Sequence, residues 1–171
     1  WRAASLCAMF PWMTNNQDDD TIIVESLSVE RGGRPVLPGL SVRVPRGQVV
    51  GLLGPSGGGK STLMRAVVGV QVVAGGTVTV LGEEAGSAAL RHRVGYLTQS
   101  PSIYSDLTVR DNVRYFATVL GADADAVDRA IAAVDLVDAA GSRVENLSGG
   151  QRSRVNLACT LVGDPEVLVL D

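Results

Sequence analysis

Cysteine is scarce: Cys7 and Cys159 stand far apart in 171 residues, which excludes a disulfide framework. Cys159 falls in a helical apolar pattern, and a reduced cytosolic protein is the simpler expectation. Long hydrophobic runs are also missing. None approaches the ~20 residues of a membrane span, so the chain is expected to be soluble and to reach a membrane only through a partner protein. Positive charge is not in excess: 15 Lys and Arg against 18 Asp and Glu give a net charge of −3, which argues against a basic face for nucleic acid. There is no internal repeat, low-complexity tract or dividing linker. What is present is 46% hydrophobic residues, enough for one globular domain with a real core.

The strongest pattern is Gly54-Pro55-Ser56-Gly57-Gly58-Gly59-Lys60-Ser61, which fits G-x-x-x-x-G-K-[ST]. It sits between an apolar run, Val49 to Leu53, and a helical run beginning Thr62-Leu63-Met64. Glycines let the backbone curl so that successive N–H groups face phosphate oxygens, and the helix start, with Thr62, adds partial positive charge. Lys60 supplies a point charge to the β- and γ-phosphates, and the Ser61 hydroxyl is placed to ligate Mg²⁺. The expected ligand is ATP or GTP with Mg²⁺. The bland alternative is a glycine-rich turn carrying a surface lysine.

Residues 1–20 read as a disordered N-terminal extension, with Pro11 interrupting its apolar part and a polar beginning after Met13. Thr21 to Val29 and Leu40 to Val44 read as strands flanking a turn at Arg31–Pro35. Val49 to Leu53, apolar without alternation, is expected to be a parallel strand covered on both faces. A helix follows from Lys60 to Val68, then strands at Thr77–Leu81 and Val94–Leu97. Thr108 and Asp111 form a capping box opening a helix with Val113, Phe116, Ala117 and Leu120 on one face. Val127, Ile131 and Val134 mark another. Ser148 is a natural N-cap for a third, with Val155, Ala158, Cys159 and Val162 on one face. Val167 to Leu170 reads as a second fully buried strand delivering Asp171 to its carboxyl end, the ligand edge of an open α/β sheet, where it can hold Mg²⁺ through water.

Leu147-Ser148-Gly149-Gly150-Gln151, lying between the phosphate loop and Asp171, resembles the signature of the ABC transporter ATPase family. In family order, Gly54 to Ser61 resembles Walker A, Gln99 the Q-loop glutamine and Val167 to Asp171 Walker B. The resemblance runs over residues 22–171. It implies an α/β fold: a P-loop NTPase core with an N-terminal antiparallel β subdomain and an α-helical subdomain inserted at about 100–150, together forming an ABC ATPase domain over 21–171. It also implies that Lys60, Gln99 and Asp171 serve catalysis, that Gln99 touches Mg²⁺ near the transmembrane partner, and that Ser148, Gly149, Gly150 and Gln151 meet the nucleotide of an opposing subunit. A second glycine-rich helix start offering N–H groups to an anion supports that last role. The partners so implied are transmembrane permease subunits and a second ATPase subunit in a head-to-tail dimer, at the cytoplasmic face of the membrane.

Three departures accompany the resemblance. Where the family keeps an aromatic residue to stack on adenine, this chain has Arg31, whose guanidinium plane can also stack on a base. The family's catalytic glutamate directly follows the Walker B aspartate and its switch histidine comes later. Neither follows Asp171 here, and His92 reads as a surface residue. The chain therefore reads as an incomplete ABC ATPase domain. The segment from Pro101 to Val113 resembles its counterpart in exporters. The alternatives are a soluble ABC ATPase acting in translation or DNA maintenance, and a nucleotide-binding fragment without turnover.

Overall fold

The computed structural model describes residues 19–123 and 125–171, which fall into two compact units divided after Leu90. The segment 1–18, most of the expected extension, lies outside the described residues.

The first unit is built on an antiparallel hairpin. Strand β1 (Asp20–Arg31) pairs with β2 (Arg34–Pro45) across a two-residue turn, Gly32-Gly33, with φ of 55° and 72°. Two consecutive positive φ values give the turn whose twist matches that of the strands, and glycine adopts them without steric cost. Helix α1 (Lys60–Val67) follows, then β3 (Gly75–Val80) and a two-residue β4 (Glu83–Glu84), giving the sheet order β2-β1-β3-β4. Strand β2 is at the edge, which is why Pro35 and Pro38 are tolerated within it. Val24, Leu27, Val29, Leu37, Val78 and Val80 are buried from the sheet, and Leu63, Ala66 and Val67 from α1. The helix ends at Gly69, whose φ of 75° is left-handed and whose Cα faces Gly86 so closely that a Cβ would lie 2.1 Å from the Gly86 Cα.

Val49 to Leu53 does not form the buried parallel strand expected of it. The segment belongs to neither sheet, and Val49 and Leu53 are exposed. An apolar run becomes a strand only where a neighbour completes its ladder, and in the first unit the antiparallel sheet closes without it.

The second unit carries β5 (Val94–Leu97) and β6 (Val167–Leu170), parallel and in register from Val94↔Val167 to Leu97↔Leu170. Between them run α2 (Val109–Leu120), α3 (Ala126–Ala133) and α4 (Gly149–Leu161). Their apolar stripes meet in one core that includes Val109, Val113, Ile131, Leu136, Val155, Ala158 and Cys159. Thr108 caps α2, accepting from the Asp111 N–H at 3.1 Å, and Gly121 ends it with φ 66°. Arg154 Nη1 of α4 donates to the Val134 and Asp135 carbonyls at 3.1 and 2.9 Å, meeting acceptors that the end of α3 leaves unpaired. Strand β6 is half-buried rather than fully buried. Val167 and Val169 face inward while Leu168 and Leu170 are exposed, because a strand covered on one face alone buries alternate residues.

Candidate functional site

In the first unit, the loop before α1 has the shape its sequence calls for. Gly54, Gly57 and Gly59 have φ of 155°, 79° and 84°, and the Gly58 N–H closes a turn by donating to the Pro55 carbonyl at 3.1 Å. A Cβ on Gly59 would come within 2.8 Å of Leu37 Cδ2, and one on Gly58 within 3.0 Å of the Pro55 oxygen. The left-handed φ of Gly59 favours glycine there, and a side chain at Gly58 would press on the Pro55 carbonyl. Gly59 caps α1 without a side-chain hydrogen bond, and no acidic residue occupies the first turn, so no carboxylate competes for an anion at the helix start. Lys60 Nζ folds back over the loop and donates to the Gly54 and Pro55 carbonyls at 3.0 and 2.8 Å. Ser56 is exposed, Ser61 half-buried and Thr62 buried at the start of α1. These are the parts of a phosphate cradle, and a polyphosphate such as that of ATP fits it: backbone donors, a lysine ammonium lying over the loop and no carboxylate in the first turn of α1. Arg31, at the end of β1, is exposed in this same unit.

The second unit carries the other sequence-derived positions. Because β5 and β6 are parallel, Gln99 and Asp171 leave the sheet at the same carboxyl edge. Asp171 is fixed there by its N–H, which donates to the Leu97 carbonyl at 2.9 Å, and by the Tyr96 hydroxyl, which donates to Asp171 Oδ2 at 3.2 Å. Gln99 is exposed, one residue beyond Thr98, whose hydroxyl donates to the Ser100 carbonyl at 2.7 Å.

Ser148 and Gln151 close a reciprocal capping box. The Gln151 N–H donates to Ser148 Oγ at 3.3 Å and the Ser148 N–H to Gln151 Oε1 at 2.9 Å. Gly149 and Gly150, exposed in the first turn of α4, would meet nothing within 4 Å if they carried a Cβ. Packing within the chain gives no reason for glycine at either, and glycine there costs helix stability. Their bare backbone suits close approach by something outside this chain. Among the described residues, no group of three His, Cys, Asp or Glu side chains is gathered for a metal.

The family profile described as ABC transporter matches residues 37–171, most of the chain and all but Arg31 of the positions above. The chain belongs to the ABC transporter family. Among curated relatives of this ABC chain, the Nod factor export ATP-binding protein I of Rhizobium meliloti (strain 1021) is 36% identical over 156 residues, covering 88% of this chain and 47% of the relative. Protein STAR1 of Oryza sativa subsp. japonica is 45% identical over 149 residues, covering 83% and 42%. The chain thus spans about half the length of the curated relatives it matches. A solved structure of cbiO1 from Clostridium perfringens, part of the ABC transporter complex cbiONQ, superimposes with a TM-score of 0.79 at 28% identity, covering 90% of this chain and 65% of that one. A bacterial Atm1-family ABC exporter with ATP bound gives 0.78 at 27%, covering 92% and 30%. The P-loop ABC ATPase fold expected from the sequence is the fold of these neighbours.

Tyr96 and two buried asparagines, Asn112 and Asn156, were not singled out in the sequence. Asn156 could have been: it is a polar residue beside Val155 and Cys159 on the buried face of α4. Tyr96 carried no signal, since its partner Asp171 is 75 residues away.

Proposed function

We propose that this chain is the nucleotide-binding part of an ATPase that powers transport, in the exporting direction, through separate transmembrane subunits. The observation that carries the reading is the cradle at Gly54 to Lys60, where Gly54, Gly57 and Gly59 hold positive φ and the lysine ammonium lies across the loop. On this reading Lys60 exchanges its two carbonyl acceptors for β- and γ-phosphate oxygens, and the N–H groups before α1 hold the rest of the polyphosphate. In the first unit Ser61 would hold the magnesium ion that neutralises the phosphates; in the second unit, Gln99 and Asp171 are the positions that the family resemblance assigns to magnesium. Magnesium binds well through one or two protein oxygens plus phosphate, so a three-carboxylate cage is not needed. Arg31 stacks on the base.

Ser148, Gly149, Gly150 and Gln151 meet the nucleotide held by a second ATPase subunit, which accounts for glycines that packing within the chain does not use. Two distinct half-sites on one chain suit a head-to-tail dimer with two-fold symmetry. The export direction is supported by the relatives named for Nod factor export and by the Atm1-family exporter. No helix among the described residues is long and apolar enough to cross a membrane. A place at the cytoplasmic face beside transmembrane subunits is supported by the likeness to cbiO1, part of the ABC transporter complex cbiONQ.

Isothermal titration with Mg·ATP tests the core of this reading. Lys60→Ala is expected to remove most of the affinity, since the polyphosphate loses its main side-chain charge. Equal affinities for the two proteins would reduce the loop to a turn.

A further inference from the structure

We infer that a cavity in the second unit, bounded by β5, α2 and α4, is a binding site for a small monocarboxylate with a compact apolar body. The site shares no residue with the phosphate loop and stands independently of the nucleotide-binding reading.

The cavity measures about 170 Å³. A void of about 150 Å³ walled by apolar side chains holds benzene, so this space suits a ring of that size carrying one small polar group. Val94, Phe116, Leu120 and Pro165 supply apolar wall.

The hydroxyl groups of the lining have no proton to spare. Tyr96 donates to Asp171, Thr98 to the Ser100 carbonyl at 2.7 Å, and Thr160 to the Asn156 carbonyl at 2.9 Å. Ser102 Oγ lies 3.2 Å from Thr98 Oγ1, whose own proton is already committed, so Ser102 is the donor of that pair.

Asn156 is different. It is 5% exposed and lines the cavity, and its Oδ1 accepts from the Ser102 N–H at 3.3 Å, which fixes the end of the amide that is oxygen. Its Nδ2 has no partner among the described residues. Nor is that nitrogen sealed in protein, since among the described residues Ser87 Oγ is the one unpartnered side-chain atom so enclosed. The amide protons therefore face the cavity. A buried donor left unmet is costly, and an arriving acceptor relieves that cost.

Arg91 adds the charge. It lines the same cavity, is exposed, and makes no hydrogen bond or ion pair among the described residues, whereas Arg93 is held by Glu166. The lining contains no carboxylate. Donors and positive charge are thus in surplus over an apolar wall. A carboxylate offers acceptors alone and can take one bond from the amide and others from the guanidinium. A phosphate would bring more charge than one guanidinium meets, and no apolar body.

Benzoate is the probe, and benzamide its neutral counterpart of the same shape. In an NMR titration of the isotope-labelled chain, benzoate is expected to shift the Asn156 side-chain amide and the Gly95 and Gly163 backbone amides saturably. Its affinity should exceed that of benzamide by at least about tenfold, the scale of one charge-assisted hydrogen bond. Arg91→Ala should weaken benzoate by roughly tenfold and leave both benzamide and the urea midpoint unchanged, because the side chain is exposed and unpaired. Asn156→Asp keeps an oxygen for the Ser102 N–H but turns the free donor into an acceptor, and should remove benzoate binding from a chain that still gives a folded spectrum. Lys60→Ala should change nothing, which separates this site from the phosphate loop. Equal affinities for benzoate and benzamide, an Arg91→Ala chain that binds benzoate unchanged, or shifts that leave out the Asn156 amide overturn the inference; the last outcome would leave that amide to a trapped water.

Discussion

Asn112 holds both backbone groups of Tyr104: the Tyr104 N–H donates to Asn112 Oδ1 at 2.8 Å, and Asn112 Nδ2 donates to the Tyr104 carbonyl at 2.9 Å. The same amide donates to the Thr108 carbonyl at 3.0 Å, and the side chain is fully buried. Two residues earlier, the Ser102 N–H donates to Asn156 Oδ1 of α4 at 3.3 Å. The loop after Gln99 is therefore fastened to two helices by two asparagines.

Asn112→Ala should cost about 2–4 kcal/mol, because it leaves the part-buried N–H and carbonyl of Tyr104 without their partner, although the Thr108 carbonyl keeps the Asn112 N–H. Asn156→Ala, which removes one long bond to this loop, should cost about 1 kcal/mol. Urea unfolding of both variants checks the order, and equal losses would mean that Asn112 is not the main fastening.

Gly69→Ala should be severely destabilising, by more than about 3 kcal/mol, since its Cβ would collide with backbone in a left-handed conformation. Gly47 has a similar φ of 70° but nothing within 4 Å, so Gly47→Ala should lose only about 1 kcal/mol. Comparing the two separates the steric clash from the conformational cost.

Gly150→Ala should raise stability by about 0.5–1 kcal/mol, because alanine favours the helix and meets no obstacle there. A loss of stability by urea denaturation would show that the glycine serves the fold. A gain would leave external contact as its reason.

Burial pushes the Cys159 thiol from 9.0 up to about 12. The fold favours the neutral thiol, so the unfolded chain ionises first as pH rises. Stability should be unaffected below about 9 and should decline between about 9 and about 12. In a Cys7→Ser background at pH 8, reaction with a disulfide reagent should be at least about 10²-fold slower in the native protein than in urea. Comparable rates would place the thiol at the surface.

The parts of the fold legible in the sequence were those set by neighbours along the chain. The Thr108 and Ser148 caps, the Gly121 stop and the phosphate loop each depend on residues within a few positions, and local spacing is enough to read them. Val49 to Leu53 was misread because an apolar run does not specify whether a ladder partner is beside it. Leu168 and Leu170 were misread for the same reason, since covering one face or both is decided by other elements. Asp171 was legible as a residue at a strand end, but Tyr96 was not, because their contact depends on the register of two strands far apart in the chain.

The Ser148 hydroxyl accepts from the Gln151 N–H and, among the described residues, donates to nothing. Its remaining proton is therefore available outward while the cap stays closed. An acceptor arriving at the start of α4 gains a hydrogen bond without breaking one, and the helix need not unwind or reorder to receive it. Recognition at this end should then proceed as docking onto a finished surface, with little heat-capacity change from refolding and with a rate governed by encounter.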